Sequence, residues 1–330
     1  MDNLVSVIIP CYNGERFIDQ SIASVYLQDY TPIELIVVDD GSTDGSAERI
    51  QAWKERFAQK GNTLKYIYQA NRGLGGAIDT GLNHVTGQYL MLLDADDVFL
   101  PDSISKRVEF LEAHPDYVGV RSNGWCVCGE SRHLFITEEK EKQITDLFTA
   151  LSFGKTNNWA GTYMVRTSAL FEAYPDRNIN PSRFGQNFQI LLPVAYKQKF
   201  GYIDEPLMEY RIQPESHSHA QDSETQYKKS IVNSTGWRDI YRSVVCRFVV
   251  DEKERHYYLN GYDSVFYRAA MNRAISFGKM RDARENYLLL KKTGYVTLDD
   301  RITYTNMVCP PAALGLRAVR KIRSLVFSKK

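Results

Sequence analysis

The chain has 330 residues, 43% hydrophobic and 25% charged, which excludes wholesale disorder, a fibre or a mini-protein and suggests about two structural units. Forty-one Lys and Arg against 40 Asp and Glu leave a net charge of +1, so the chain lacks the basic excess that nucleic-acid binding normally shows.

In chain order, the first hundred residues repeat a short β-branched run followed by a stretch of helical spacing, the pattern of a parallel sheet. Residues 5–9 read as the first strand, and Asn13-Gly14 opens a helix that buries Ile18, Ile22 and Val25. Residues 33–38 form the second strand. Ser42-Thr43-Asp44 then supplies cap chemistry for one helix with Ile50, Trp53 and Phe57 on a single face. Residues 64–69 make the third strand, Gly73-Leu74-Gly75-Gly76 a turn, and a short helix runs through Leu82 to the fourth strand at 88–93. That strand ends in Asp94-Ala95-Asp96-Asp97, and Pro101-Asp102 starts another helix. From Tyr117 the pattern becomes α+β, with strands at 117–122 and 159–166. A polar stretch at 213–224 leads into helical sequence rich in aromatics, among them Tyr257, Tyr258, Tyr262, Phe266 and Tyr267, which places a boundary near residue 220.

Five cysteines are too few for a disulfide framework, and Cys126-Val127-Cys128 lacks further zinc ligands, so the pair reads as strand. Met1-Asp2-Asn3 carries no basic leader region, and no apolar run approaches the roughly 18 residues of a membrane span. The expectation is a soluble cytoplasmic protein, attached at most to the inner face of the cell membrane.

Ligands of open parallel sheets bind beyond the carboxyl ends of the strands. Three strands end there in unusual chemistry: Pro10-Cys11-Tyr12-Asn13, Asp39-Asp40-Gly41-Ser42 and Asp94-Ala95-Asp96-Asp97. Five carboxylates, Asp39, Asp40, Asp94, Asp96 and Asp97, are expected on one edge, where a hard divalent cation would relieve their repulsion. Helix capping is the competing reading, and it suits Asp44 best. The Gly73-x-Gly75 turn is followed by Ile78 and follows the third strand rather than the first, so it is not a dinucleotide fingerprint; a P-loop is absent too.

The segments 5–13, 37–44, Asn71-Arg72-Gly73 and 93–97, in this order and spacing, resemble the family 2 glycosyltransferases of GT-A fold. The resemblance is clear over about residues 4–125, fainter to about 220 and absent beyond. It implies an α/β, Rossmann-like fold with a mostly parallel central sheet flanked by helices, a nucleotide-diphosphate-sugar donor, and transfer with inversion. A donor half (1–125) and an acceptor half (126–220) would make up a GT-A domain of 1–220, followed by a helical extension, 221–330. Carried over by position, the resemblance puts the nucleotide sugar against Pro10, Tyr12, Asn13, Asp39, Asp40, Asn71, Gly73, Asp94 and Ala95. Asp96 would hold Mn²⁺ or Mg²⁺, with Asp94 toward the ribose and Asp97 in support. Tyr210-Arg211 and the following Ser216-His217-Ser218-His219 resemble the loop that closes over the diphosphate, with His217 and His219 as further candidates for metal or phosphate.

Two departures matter. Ala77-Ile78-Asp79 stands where the family often reads Ala-Arg-Asn, which removes a cation. Gln186-Asn187 stands where it usually carries Glu-Asp, the Asp being the general base, and neither amide takes up a proton. Asp176 and Asp204 are the nearest alternative carboxylates. Gln186 and Asn187 would instead bind acceptor hydroxyls or simply start the helix containing Leu191 and Leu192. The expected activity is hexosyl transfer from a UDP-sugar to a glycan or lipid-linked acceptor in surface or capsular polysaccharide synthesis. A silent nucleotide-sugar binder is the alternative, and a nucleotidyltransferase is disfavoured because no basic first-strand loop is present. The tail 310–330 has six basic and no acidic residues with one apolar face, the composition of a helix that contacts anionic membrane or packs as an ordinary terminal helix.

Overall fold

The computed structural model describes residues 3–157, 159–212 and 223–309, so His217, His219 and the basic tail lie outside the described residues. The chain divides into one unit of Met1–Leu151, Lys155–Ser216 and Asp239–Phe248 and another of Ser152–Gly154, His217–Arg238 and Val249–Lys330.

The elements up to Arg211 are β1 (Val5–Cys11), α1 (Ile18–Tyr26), β2 (Ile33–Asp39), α2 (Ser46–Gln51), α3 (Lys54–Gln59), β3 (Thr63–Tyr68), α4 (Leu74–Leu82), β4 (Tyr89–Leu92), β5 (Val98–Phe99), α5 (Ser103–Ala113), β6 (Tyr117–Cys128), β7 (Ser131–Leu134), α6 (Glu139–Lys142), α7 (Leu147–Ser152), β8 (Tyr163–Arg166), α8 (Thr167–Ala173), α9 (Gln186–Ala195) and β9 (Lys199–Arg211). They build an α/β unit around one nine-stranded sheet of order β3-β2-β1-β4-β8-β6-β9-β5, with β7 on β6. β1 pairs parallel with β2 and β4, and β2 with β3, so their carboxyl ends share one edge. Every residue of β1, β2 and β4 is buried, the mark of strands covered on both faces. β8 runs antiparallel to both β4 and β6, and β6 runs parallel to β9. Because β8 is reversed, its first residue, Tyr163, lies at the edge where β4 ends.

Side chains from one face of β1, β2 and β4 pack with Ile18, Ile22, Val25, Ile50, Phe57, Ile104 and Leu111 into a single core. At the opposite, amino end of the sheet, buried Glu34 accepts from Ser6, from Lys65 at 2.8 Å and from the Thr86 amide at 2.6 Å. Burial opposes its ionisation, but these donors outweigh burial and hold its pKa below the usual value.

Several local expectations are corrected. The first helix begins at Ile18 rather than at Gly14, because the Gly14 carbonyl accepts from both Phe17 and Ile18 and closes an entry turn. The single helix through Ile50, Trp53 and Phe57 is two, α2 and α3, broken at Ala52-Trp53 where the Trp53 indole reaches Asp19 at 2.8 Å. Asp102 has φ +62°, so the helix after Pro101 starts at Ser103. The strand expected at 159–166 is only Tyr163–Arg166, because the Thr162 amide turns back onto the Trp159 carbonyl. β6 runs on to Cys128, and free Cys126 and Cys128 sit in it, one buried and one exposed.

The described helices of the carboxy-terminal region are α10 (Ser223–Phe248), α11 (Glu252–Ser276), α12 (Met280–Lys292) and α13 (Leu298–Val308). Within the second unit Tyr227, Met271, Ala274 and Ala283 form a small core. Arg238 grips Asp263 at 2.7 and 3.0 Å, and Arg268 grips Asp300 at 2.8 and 3.0 Å, two bidentate pairs. Asp300 also closes a capping box with Thr297 at the start of α13. No described helix is long and apolar enough to cross a membrane.

Candidate active site

Two of the five edge carboxylates are already committed, which corrects the expectation that all five repel one another for want of partners. Asp39, buried, accepts from the Ser42 amide and the Tyr66 hydroxyl, both at 2.8 Å. Asp40, also buried, accepts from the Gln69 side chain at 2.6 Å and from the Arg72 and Gly73 amides at 2.8 Å each. It thereby ties the loop after β2 to the turn after β3. Gly73 sits there at φ +79°, a conformation that favours glycine.

The loop after β1 is fastened to the loop after β2 in the same way. The Asn13 side-chain oxygen accepts from the Thr43 amide at 2.8 Å, while the Asn13 and Gly14 amides donate to the Ser42 and Ser46 hydroxyls at 2.9 Å. Asp44 accepts from the Glu15 amide at 3.1 Å and from the Ser46 amide at 3.1 Å, so it bridges loops as well as capping. Tyr12 protrudes from this framework, 54% exposed. Pro10 and Asp39, at the ends of β1 and β2, and Tyr12, Asn13, Asp40, Asn71 and Gly73, in the loops that follow β1, β2 and β3, therefore share one edge that hydrogen bonds draw together.

The remaining three carboxylates form a separate group after β4. The Asp97 amide donates to the Asp94 carbonyl at 3.1 Å, which folds 94–97 into a turn with Ala95 at its bend. Asp97 is fully buried; one oxygen accepts from the Arg211 amide at 2.9 Å, and the other has no hydrogen-bond partner among the described residues. Burial and then the Asp96 charge push Asp94 up to about 7. Burial also raises Asp96, and burial with the charges of Asp94 and Asp96 raises Asp97 well above the usual carboxylate range. Among the described residues no group of three or more His, Cys, Asp or Glu is arranged to hold a metal ion by itself.

Asn187 is linked to this group through Tyr163, a connection that the sequence order gives no way to see. Its side-chain oxygen accepts from the Tyr163 hydroxyl at 2.8 Å, and Tyr163, raised by burial, feels the charge of Asp94. Gln186 is the first residue of α9, behind Gly185 at φ +67°. Arg211 donates its amide to Asp97 and its guanidinium to Gln20 and to Glu209 at 3.1 Å. Asp204 pairs with Lys142 at 2.8 Å, and Asp176 accepts from the Asn178 amide at 3.4 Å. Neither has a hydrogen bond or ion pair to residues 94–97 among the described residues.

Residues not foreseen at the site are Tyr163, Gln69 and Arg183, whereas Tyr210 is expected there together with Arg211. Burial and the charges of Asp97, Asp96 and Asp94 raise Tyr210, and its ring lies 6.2 Å from Phe135, which stacks on Trp159 at 4.2 Å. The direction of β8 and the pairing of β9 place these rings, and neither is encoded in a local motif.

The sign of a pH effect follows from Asp94. Between its ordinary value of 3.8 and about 7 the folded chain binds more protons than the unfolded one, so this group removes stability as pH rises through that window. Asp94→Asn is expected to raise the melting temperature in EDTA, little at pH 5 and most at pH 8. The gain at pH 8 should reach about 1–2 kcal/mol, below the full linkage value because the three carboxylates share protons. Unfolding curves of both proteins across this range check it; an equal gain at both pH values would remove the titration from the explanation.

The model of the glycosyl transferase family 2 matches residues 6–173, just over half of the chain, and the chain belongs to that family. It is 31% identical over 214 residues to an uncharacterized glycosyltransferase of a Nostoc species, covering 63% of this chain and 64% of that one. Glycosyltransferase GlyA of Streptococcus pneumoniae is 28% identical over 233 residues, covering 66% of this chain and 32% of that one. The chain thus spans less than two thirds of the length of these relatives. TarS 1-349 of S. aureus, solved in complex with UDP-GlcNAc, superimposes with a TM-score of 0.58 at 20% identity, over 92% of this chain and 79% of that one. The fold is GT-A.

Proposed function

We propose that the chain transfers a sugar, with inversion, from a nucleotide-diphosphate-sugar to a hydroxyl of a glycan or lipid-linked acceptor. The observation that carries this reading is the turn Asp94–Asp97, whose carboxylates are held against their own ionisation next to three interlocked loops of a family 2 fold. Residues 1–125 form the donor half and 126–220 the acceptor half. In the donor half Tyr12 offers an exposed ring for the base. Asn13, Asp39 and Asp40 hold the nucleoside loops in place, Asn71 and Gly73 line the turn after β3, and Asp94 with Ala95 faces the ribose.

The residues after β4 fit a hard divalent cation. They offer only oxygen, their ionised forms lack compensating charge, and one buried oxygen of Asp97 has no partner. Asp96 and Asp94 would hold Mn²⁺ or Mg²⁺, the donor phosphates and water completing its shell. Such an ion supplies charge stabilisation to the leaving diphosphate. UDP is the nucleotide of choice because TarS, the fold neighbour, was solved with UDP-GlcNAc. A role in surface or capsular polysaccharide synthesis, at the inner face of the cell membrane, belongs to the same proposal.

Asn187 supports a second reading, a donor-binding protein without turnover, because an amide that accepts from Tyr163 does not take up the acceptor proton. One assay separates the two. Purified protein is given a panel of UDP-sugars and GDP-sugars with Mn²⁺ or Mg²⁺, with and without a mixed acceptor extract, and release of nucleoside diphosphate is followed. Metal-dependent release that rises with acceptor is expected. Donor binding without release under every condition would favour the silent binder.

A further inference from the structure

The proposed donor brings a diphosphate to an edge rich in carboxylates, so the cations near that edge decide how it is held. Arg72 is engaged, its guanidinium 3.2 Å from Asp79. Arg211 is engaged with Glu209 and Gln20. Ile78, at the position where the family often carries a cation, is buried in the core.

Arg183 differs from all of these. It is exposed, and among the described residues it makes no hydrogen bond and no ion pair. Its side chain lies across Gly73: a Cβ built there would meet the Arg183 Cγ at 2.9 Å and Nε at 3.4 Å. The same Gly73 amide is held by Asp40 at 2.8 Å, so Arg183 covers the turn that closes the donor loops.

The loop that presents Arg183 is fixed at many points. The Gly75 amide donates to the Ser182 carbonyl at 3.1 Å, and the Ile179 amide to Asp79 at 2.9 Å. Asn180 exchanges hydrogen bonds with the Gln189 side chain at 2.7 and 2.9 Å. The Ser182 amide reaches the Asn180 side chain at 3.0 Å, and the Phe184 amide reaches the Ser182 hydroxyl at 3.1 Å. A rigid loop thus holds out an arginine that does nothing for the loop itself. The nearby carboxylates are no partners for it, since Asp40 is taken by Gln69, Arg72 and Gly73, and Asp79 by Arg72 and Ile179.

We propose that Arg183 binds the diphosphate of the donor and supplies, from the loop before α9, the cation that Ile78 does not. The inference rests on the donor-site reading above. A planar guanidinium suits phosphate oxygens, and its position on a fixed loop leaves only side-chain freedom to be lost on binding.

The test is calorimetry of the full chain with UDP and with GDP in the presence of Mn²⁺, using uridine and guanosine as controls. Arg183→Gln is expected to weaken binding of the nucleoside diphosphate by about tenfold to a hundredfold, the worth of a charge-assisted hydrogen bond, and to leave nucleoside binding unchanged. Arg183→Lys should recover part of the loss, and the Gln variant should lose less affinity on adding salt than the wild type does. Equal diphosphate affinity in wild type and Arg183→Gln overturns the proposal and leaves the donor site standing. An equal loss for nucleoside and diphosphate also overturns it, since that marks a purely structural role. If wild-type protein binds neither UDP nor GDP, the donor-site reading falls and this inference with it.

Discussion

Asp96→Ala is expected to lower metal-dependent release of nucleoside diphosphate by about a thousandfold or more without lowering the melting temperature. A bound divalent ion contributes several kcal/mol of charge stabilisation to a departing phosphate, and about 4 kcal/mol corresponds to three decades in rate. Among the described residues this side chain has no hydrogen bond to another residue: burial raises its pKa, and its own backbone supplies the hydrogen bond that opposes the rise. Its removal also relieves Asp94 and Asp97 of a neighbouring negative charge. Steady-state rates at saturating donor, with Mn²⁺ and with EDTA, together with a melting curve, check both halves. Undiminished metal-dependent turnover in the variant would take the cation away from Asp96.

Gly75→Ala is expected to destabilise the protein by about 2–3 kcal/mol, against the usual trend. Replacing glycine by alanine inside a helix normally stabilises, because alanine is the better helix former and restricts the unfolded chain. Here a Cβ would stand 2.1 Å from the Ser182 carbonyl oxygen and 3.0 Å from that of Asn180, both backbone atoms. The loop before α9 must retreat, losing the hydrogen bond from the Gly75 amide to Ser182. Urea unfolding measures the sign directly. A stabilised variant would mean that the loop yields at no cost, and then the fixed presentation of Arg183 would be in doubt.

Much of the first half of the molecule is legible in the sequence. Unbroken apolar runs such as those of β1 and β2 are what a parallel sheet buried on both faces requires, and the polar residues that end them mark the ligand edge. The four motifs from Val5 to Asp97 are legible because they lie on neighbouring strands and short loops. β9 is not legible in the sequence because Gly201, Asp204, Glu205 and Pro206 break the alternation that betrays a strand. Its pairing with β6 supplies what its own sequence lacks.

The sequence by itself determined the order of β1 to β4, the family, and which carboxylates lie near the ligand edge. The tertiary structure alone decided how those carboxylates divide. Besides the local Ser42 amide, Asp39 and Asp40 are satisfied by Tyr66, Gln69 and the Arg72 and Gly73 amides, all supplied by a neighbouring strand or turn, whereas Asp94, Asp96 and Asp97 crowd one another in a single turn. It also decided that Tyr163 and Asn187 meet beside Asp94, because the reversed direction of β8 brings its first residue to the end of β4. Local sequence sets which side chains a segment carries and which face it buries. Partners remote in the chain set whether a carboxylate is paired by donors or crowded by other acids, and that difference separates acids that fasten the loops from acids whose ionisation is opposed.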